Sequence, residues 1–312
     1  VELDDLSTDA FLATLTNPDV NSIIKSQTGF SQYAPALERW LGGVNALSNL
    51  TMYQLRASQY DSITLVGQTI DATVPIPVSS GWNWIGYLPS RGLPVTDALS
   101  SLTPLNGDIV KGQFGFAQYV ATVGWIGNLR TMSSPNGYQL RLSTSDTLIY
   151  PDPNVSNLMG QVISRNKFMA LTGMKSAGSS PWEVNAQDYE FSMNIVGVVK
   201  DSLGGAVLAE GDAIGAVVDG EVRGSGEVLY VEELDLHLVF LTVYANEEGE
   251  VLSFKFYNSS RDDIGELNED FSFQINQILG TVAEPQVFHL PGLISSVEIA
   301  GGQAPSFRAF PN

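Results

Sequence analysis

The sequence predicts an all-β protein: two tandem β-rich repeats, the first of them incomplete, then a β-sandwich domain and an extended C-terminal tail. Its apolar runs are short, rich in Val, Ile, Tyr, Phe and Thr, and broken by Gly, Asn, Asp and Pro, as in strands joined by turns. The segment KSQTGFSQY at residues 25–33 returns as KGQFGFAQY at residues 111–119. Such recurrence is typical of an array of modules rather than of one enzyme body.

The two copies cover residues 1–66 and 67–150. After a one-residue gap the repeat continues at a spacing of 85, from the pair Trp40 and Trp125 to the pair Asp61 and Asp146. Each copy contains one short stretch that predicts a helix, at residues 6–15 and 93–102. The second copy contains the segment GWNWIGYLP at residues 81–89, and the first copy has no counterpart of it.

A β-module without its first strands leaves an unpaired sheet edge, which is a template for another strand. Three readings stay open. Copy two or the tail closes the edge within one chain, or a neighbouring subunit donates a strand and forms an open head-to-tail polymer, or copy one begins beyond the sequence given. The apolar tail segment at residues 292–300 is the candidate donor.

The second half of the chain predicts a separate unit. Residues 151–185 form a connecting segment and linker, residues 186–288 an acidic β-sandwich, and residues 289–312 the tail. Residues 189–195 alternate apolar and polar side chains, which predicts a half-buried antiparallel strand. Residues 238–244 are almost all apolar, which predicts a central strand buried on both faces, and Asp219-Gly220 predicts a tight hairpin turn.

The net charge and the absence of cysteine exclude several classes of function. The net charge is −19, and residues 186–288 hold 20 Asp and Glu against 4 Lys and Arg. Such a surface repels phosphate backbones, so no nucleic-acid partner is expected. No apolar stretch is long enough for a membrane span. The absence of cysteine excludes disulfides and thiolate chemistry, and it favours export from the cell.

Catalytic patterns are missing from the sequence, so no enzyme activity is expected. The chain has two histidines, His237 and His289, and no Gly-x-Ser-x-Gly, HExxH, P-loop or GxGxxG pattern. The only cofactor that the composition favours is calcium, because oxygen-rich turns carry several carboxylates, although the EF-hand spacing is absent. The candidate ligands are Glu247, Glu250, Asp262 and Asp263.

The segments GWNWIGYLP, LPVTDALSSL, NGDIVKGQFGFAQYV and GYQLRL resemble a repeat of large secreted, cell-surface proteins of environmental bacteria. The segments YEFSMNIVGVV and HLVFLTVYANEEGEVLSFKFYN resemble a β-sandwich module that accompanies that repeat. The resemblance implies a non-catalytic, extracellular protein of the bacterial cell surface. It also draws attention to glycosylation patterns, with O-linked candidates at Ser62, Thr147 and Ser202 and N-linked candidates at Asn49, Asn154 and Asn258.

The sequence therefore predicts a non-enzymatic secreted structural or adhesive protein, a fibre subunit that self-associates head to tail into a homopolymer by strand donation. The alternative is a set of carbohydrate-binding modules of a larger extracellular polysaccharide-acting protein, with surface glycans as partners. In that case Trp82, Trp84 and Trp125 would stack on sugar rings. The competing role for these aromatic side chains is core packing.

Overall fold

The computed structural model describes residues 5–152 and 180–291, apart from residues 58 and 69. Strands dominate this part of the chain, and its two α-helices are four residues long, which confirms the all-β prediction. We divide the described residues into module 1 (residues 5–66), module 2 (residues 67–152) and module 3 (residues 180–291). The candidate donor at residues 292–300 and most of the predicted linker lie outside the described residues.

Modules 1 and 2 each contain one main antiparallel sheet, and module 2 has two additional sheets of two strands each. Module 1 contains α1 (Thr8–Phe11), β1 (Ile23–Lys25), β2 (Phe30–Ala34), β3 (Arg39–Gly42) and β4 (Gln54–Arg56). Module 2 contains β5 (Ile76–Val78), β6 (Gly81–Gly86), β7 (Leu93–Pro94), α2 (Val95–Ala98), β8 (Ile109–Lys111), β9 (Phe116–Val120), β10 (Gly124–Gly127), β11 (Thr131–Met132), β12 (Gly137–Leu142) and β13 (Asp146–Leu148). The strand orders are β3-β2-β1-β4 and β10-β9-β8-β12-β6. Module 1 therefore lacks the counterpart of β6.

Module 3 is a larger, curled sheet with a sandwich-like core. Its strands are β14 (Phe191–Lys200), β15 (Ala213–Val218), β16 (Glu221–Val231), β17 (Leu236–Ala245), β18 (Val251–Asn258), β19 (Asp263–Glu266), β20 (Phe271–Ser272), β21 (Ile278–Leu279) and β22 (Gln286–His289). The main path runs β19-β18-β15-β16-β17-β14-β21. Asp219 and Gly220 both have positive φ between β15 and β16, which confirms the predicted hairpin turn.

Module 3 contains a third copy of the same sheet. Its strands β17-β16-β15-β18-β19 follow the order of β10-β9-β8-β12-β6 in module 2. Buried Asp108 accepts hydrogen bonds from the Leu105 N–H at 2.8 Å and from the Ser143 N–H at 2.8 Å. Asp212 accepts the equivalent bonds from Ala209 (2.9 Å) and Ser259 (2.8 Å). In module 2 this carboxylate links the start of β8 to the end of β12, and in module 3 it links the start of β15 to the end of β18.

The second hairpin of each sheet shares an aromatic pair across its strands. Tyr33 lies opposite Trp40 with ring centroids 5.6 Å apart, and Tyr119 lies opposite Trp125 at 5.4 Å. In module 3 the pair is Tyr230 and His237 at 4.8 Å. Directly opposite side chains are the strongest cross-strand contacts of an antiparallel sheet. The recurring aromatic residues of the repeat therefore stabilise its hairpin.

Modules 2 and 3 pack face to face. The odd-numbered residues of β17, such as Val239 and Leu241, enter the interior of module 3. Leu238 and Phe240 belong instead to the cluster shared with module 2, in which Phe240 contacts Phe116. This confirms the prediction of a strand buried on both faces. The half-buried strand predicted at residues 189–195 is wrong in one respect, because the outer face of β14 is also covered and leaves Asn194 only 1% exposed.

Candidate interaction surface

The outer edge of β4 distinguishes module 1 from the other two modules. In module 2, β6 pairs along β12 over six residues, from Gly137 opposite Gly86 to Leu142 opposite Gly81. In module 3, β19 covers the equivalent edge of β18. Among the described residues no further strand pairs with β4, and its three side chains are exposed. No described strand covers the opposite edge strands β3 and β10, whereas β14 covers their counterpart β17 in module 3. The β4 edge is therefore the one at which modules 2 and 3 agree and module 1 differs.

The outer face of the module 1 sheet repeats the face that module 2 uses to bind module 3. In module 2 this face is buried, with Phe116 at 0% exposure and its ring 5.5 Å from that of Phe240. Gln118 Oε1 accepts the Val282 N–H at 2.7 Å, and Lys111 Nζ donates to Asn276 Oδ1 at 2.7 Å. The module 2 face is formed by Ile109, Lys111, Phe116, Gln118 and Ile126.

The outer face of the module 1 sheet has nearly the same side chains, but several of them are exposed to solvent. Its counterparts are Ile23, Lys25, Phe30, Gln32 and Leu41. Phe30 is 55% exposed and Leu41 is 43% exposed, because none of the described residues covers them as module 3 covers module 2. Lys25 forms an ion pair with Glu190 at the start of module 3. Burial, together with the nearby charge of Arg56, lowers the pKa of Lys25.

Module 1 also binds the free edge of β6 in module 2. Gln27 Nε2 donates to the Trp82 carbonyl at 2.7 Å, and Gln27 Oε1 accepts the Trp84 N–H at 2.9 Å. The Met52 N–H donates to the Trp84 carbonyl at 3.3 Å, and the Gly86 N–H to the Leu50 carbonyl at 3.0 Å. Both edges of β6 are therefore occupied, one by β12 and the other by module 1.

A cleft of about 420 Å³ lies at this joint between modules 1 and 2. Its wall includes Trp84, Gln27 and Asn83 together with Ser and Thr hydroxyl groups. The two other tryptophans suggested for sugar stacking are half-buried in packing contacts. Lys111 Nζ lies 5.3 Å from the centroid of the Trp82 ring, and Trp125 packs on Tyr119. Among the three suggested stacking residues, only Trp84 lines this cleft.

The four calcium candidates fall into two separate groups. Glu247 and Glu250 precede β18, and Asp262 and Asp263 follow it, so the strand of eight residues separates them by about 25 Å. Glu250 pairs with Arg223 at 3.0 Å, and Asp262 accepts a hydrogen bond from the Tyr257 hydroxyl at 3.1 Å. Within the described ranges no three His, Asp or Glu side chains are grouped to hold a metal ion.

The recurring Asp-Ser/Thr pattern has a structural explanation. Asp61 accepts hydrogen bonds from the N–H groups of Ser62 and Thr16, both at 2.8 Å. Asp146 accepts those of Thr103 (2.8 Å) and Thr147 (2.7 Å) in the same way. These hydrogen bonds to the charged form lower the pKa of both carboxyl groups. The pattern therefore anchors each repeat, whether or not it carries a glycan.

The glycosylation candidates differ in accessibility. Ser62, Thr147 and Ser202 are exposed, and Asn49 is half-buried. Asn258 Oδ1 accepts hydrogen bonds from the Ser260 hydroxyl at 2.7 Å and the Arg261 N–H at 3.0 Å. Asn154 lies outside the described residues. Of the two histidines, His237 packs on Tyr230, and His289 Nδ1 lies 2.6 Å from Glu269 Oε1.

Comparison with protein-family models, with curated proteins and with solved structures found no match to this chain. The structure itself indicates which surface is unusual. None of the helices in residues 5–152 and 180–291 is long and apolar enough to cross a membrane. Among the described residues, module 1 differs from module 2 in the uncovered edge of β4 and in the exposed outer face beside it.

Proposed function

We propose that the chain is a non-enzymatic structural or adhesive protein of the bacterial surface, and that its subunits assemble head to tail into a fibre. The acceptor is the outer edge of β4. The observation that supports this proposal is the threefold comparison within one chain: the edge is covered in modules 2 and 3, and no strand of residues 5–152 and 180–291 covers it in module 1. A bare edge presents unpaired N–H and C=O groups, which a strand from another subunit can satisfy.

The composition of the edge also favours a protein partner. Leu55 is 37% exposed and lies opposite buried Ile24 of β1, and Arg56 provides a positive charge in a protein of net charge −19. Its counterpart Leu140 lies opposite Asn83 of β6 and is 0% exposed in the core of module 2, and an incoming strand would cover Leu55 from the equivalent side. Burial of a leucine side chain contributes about 2 kcal/mol, and backbone pairing adds to it.

Electron microscopy and light scattering of the full chain test the proposal. We expect filaments, and we expect Leu55→Asp to abolish them because the new charge would lose its hydration when a strand pairs with β4. Leu37→Asp is the matched control: it makes the same change at an exposed leucine of module 1 that lies between β2 and β3, away from β4. A wild-type chain that stays monomeric at all concentrations would refute the proposal.

A second function, carbohydrate binding, is favoured by the cleft at the joint of modules 1 and 2. An indole beside hydroxyl and amide groups is the combination that stacks on a sugar ring and hydrogen bonds its rim. Glycan-array screening followed by calorimetry tests it, with Trp84→Ala expected to remove binding. Leu203→Ala, at a side chain 94% exposed on module 3, is the control that leaves binding intact.

A further inference from the structure

Strand β19 of module 3 is the edge strand of the nine-stranded sheet. It covers β18 on one side, and none of the other described strands pairs with its second side. In module 2 the equivalent position belongs to β6, whose second side is bound by module 1. Within the part of the chain that the structure describes, this position is therefore covered between modules 1 and 2 and open on module 3.

From these observations, and resting on the proposed fibre, we infer that the strand which completes the β4 edge is β19 of a second copy of this chain. Module 1 already receives the free edge of β6 through Gln27 and residues 50–52. The inferred contact adds a strand to its sheet on the β4 side. Each subunit then offers an acceptor in module 1 and a donor in module 3, so the contact repeats without closing.

The two edges match in length and in apolar content. β4 has three residues and β19 has four, so each can pair along most of its length. Leu55 is 37% exposed on β4, and Ile264 is 46% exposed on β19. Exposed aliphatic side chains on short edge strands are buried when the strands pair, and that burial adds to the backbone hydrogen bonds.

The charges on the two strands favour pairing of β4 with β19 over pairing of β4 with β4 or of β19 with β19. Arg56 lies on β4, whereas Asp263 lies on β19 and Asp262 directly precedes it. Pairing β4 with a second β4 brings like positive charges together, and pairing β19 with a second β19 brings like negative charges together. Opposite charges across neighbouring strands are favourable and like charges are unfavourable. The heterologous, head-to-tail contact is therefore favoured over a symmetric dimer.

Two full-length variants with one blocked end each test the inference. Leu55→Asp blocks the acceptor and leaves β19 intact, and Ile264→Lys blocks the donor and leaves β4 intact. Both changes are at exposed side chains, so folding is expected to be retained, and circular dichroism checks this. We expect each variant alone to sediment as a monomer of 33.6 kDa and an equimolar mixture to double in mass.

Val251→Lys is the matched control for the donor variant. It introduces the same charge at an exposed aliphatic residue of module 3, at the start of β18 and away from β19. This variant is expected to polymerise like the wild type. The same head-to-tail contact predicts that 1 M NaCl shifts the wild type toward smaller species, because exposed charge pairs are screened at that ionic strength.

Two outcomes would refute the inferred β4–β19 contact without contradicting the proposal that the subunits form a fibre. Ile264→Lys filaments indistinguishable from wild type would show that another segment is donated to β4. A mixture of the two blocked variants that stays monomeric would show that the free ends do not meet. A wild-type chain without filaments would instead refute the proposed function itself, so the two failures are distinguishable.

Discussion

Phe30 and Phe116 allow a matched test of how modules 2 and 3 are held together. They occupy the same position in the repeat, and Phe116 is 0% exposed whereas Phe30 is 55% exposed. Truncation of a buried phenylalanine to alanine costs about 3–5 kcal/mol, of which about 0.5–1.5 comes from the edge-to-face contact with Phe240. Truncation of an exposed side chain changes stability by about 0.5 kcal/mol or less.

We therefore expect Phe116→Ala to lower the free energy of unfolding by at least about 2.5 kcal/mol more than Phe30→Ala. Urea unfolding followed by tryptophan fluorescence measures both, in a Leu55→Asp background so that assembly does not contribute. Phe116→Leu, which keeps most of the volume, should recover more than half of the loss. Equal losses at the two positions would refute the reasoning, because the module 1 face would then be as buried in solution as the module 2 face.

Three further outcomes follow from single side chains. Burial lowers the pKa of Lys111 to about 8 in the folded chain, below its value in the unfolded chain, so the unfolded state binds more protons above pH 8. The stability of the wild type relative to Lys111→Met should rise by about 2 kcal/mol from pH 8 to pH 10, measured by urea unfolding at each pH, and a flat difference would contradict the assigned burial. Asp212→Ala should lower the free energy of unfolding by about 3 kcal/mol. Asp108→Ala should lower it by the same amount within about 1 kcal/mol, because both carboxylates accept the same set of hydrogen bonds. Calorimetric unfolding compares the two variants, and unequal losses would argue against a third copy of the sheet. Gly220→Ala should cost about 1 kcal/mol, since its φ of 86° disfavours a side chain although the space is open, and thermal unfolding would show no change if the turn relaxed freely.

The sequence is enough to predict the strands whose partners are local. The hairpin at Asp219-Gly220 depends on two backbone angles that this dipeptide favours, and the buried β17 depends on an unbroken apolar run. The two-copy repeat is visible because its spacing changes by only one residue. Each of these signals is contained in a few neighbouring positions, so no tertiary information is required.

The third copy of the sheet cannot be recognised from a fixed spacing in the sequence, because its strands and turns differ in length from those of module 2. The separation grows from 104 residues between Asp108 and Asp212 to 116 residues between Ser143 and Ser259. Only scattered side chains recur, among them the Gly-Asp pair before the first strand and the serine after the fourth. These residues matter for hydrogen bonds across the sheet, which no local window contains.

The exposure of the candidate surface could not be predicted either. Phe30 and Phe116 lie in nearly identical local sequences, and only the presence of module 3 against one of them decides which is buried. The same reason explains the wrong prediction for β14, whose polar alternation favoured a solvated face. Asn194 donates to Thr242 Oγ1 at 3.1 Å across the sheet instead of meeting solvent.

The doubly bound strand β6 couples the folding of neighbouring modules. Module 1 supplies four hydrogen bonds to it, through the Gln27 amide, the Met52 N–H and the Leu50 carbonyl. At about 1 kcal/mol each, their loss would remove a large part of the 5–15 kcal/mol by which a domain of this size is stable. Unfolding of module 1 would therefore destabilise module 2, as nearest neighbours do in a one-dimensional cooperative array. A heat-capacity scan should then show one shared transition for the two repeats rather than a separate one for each.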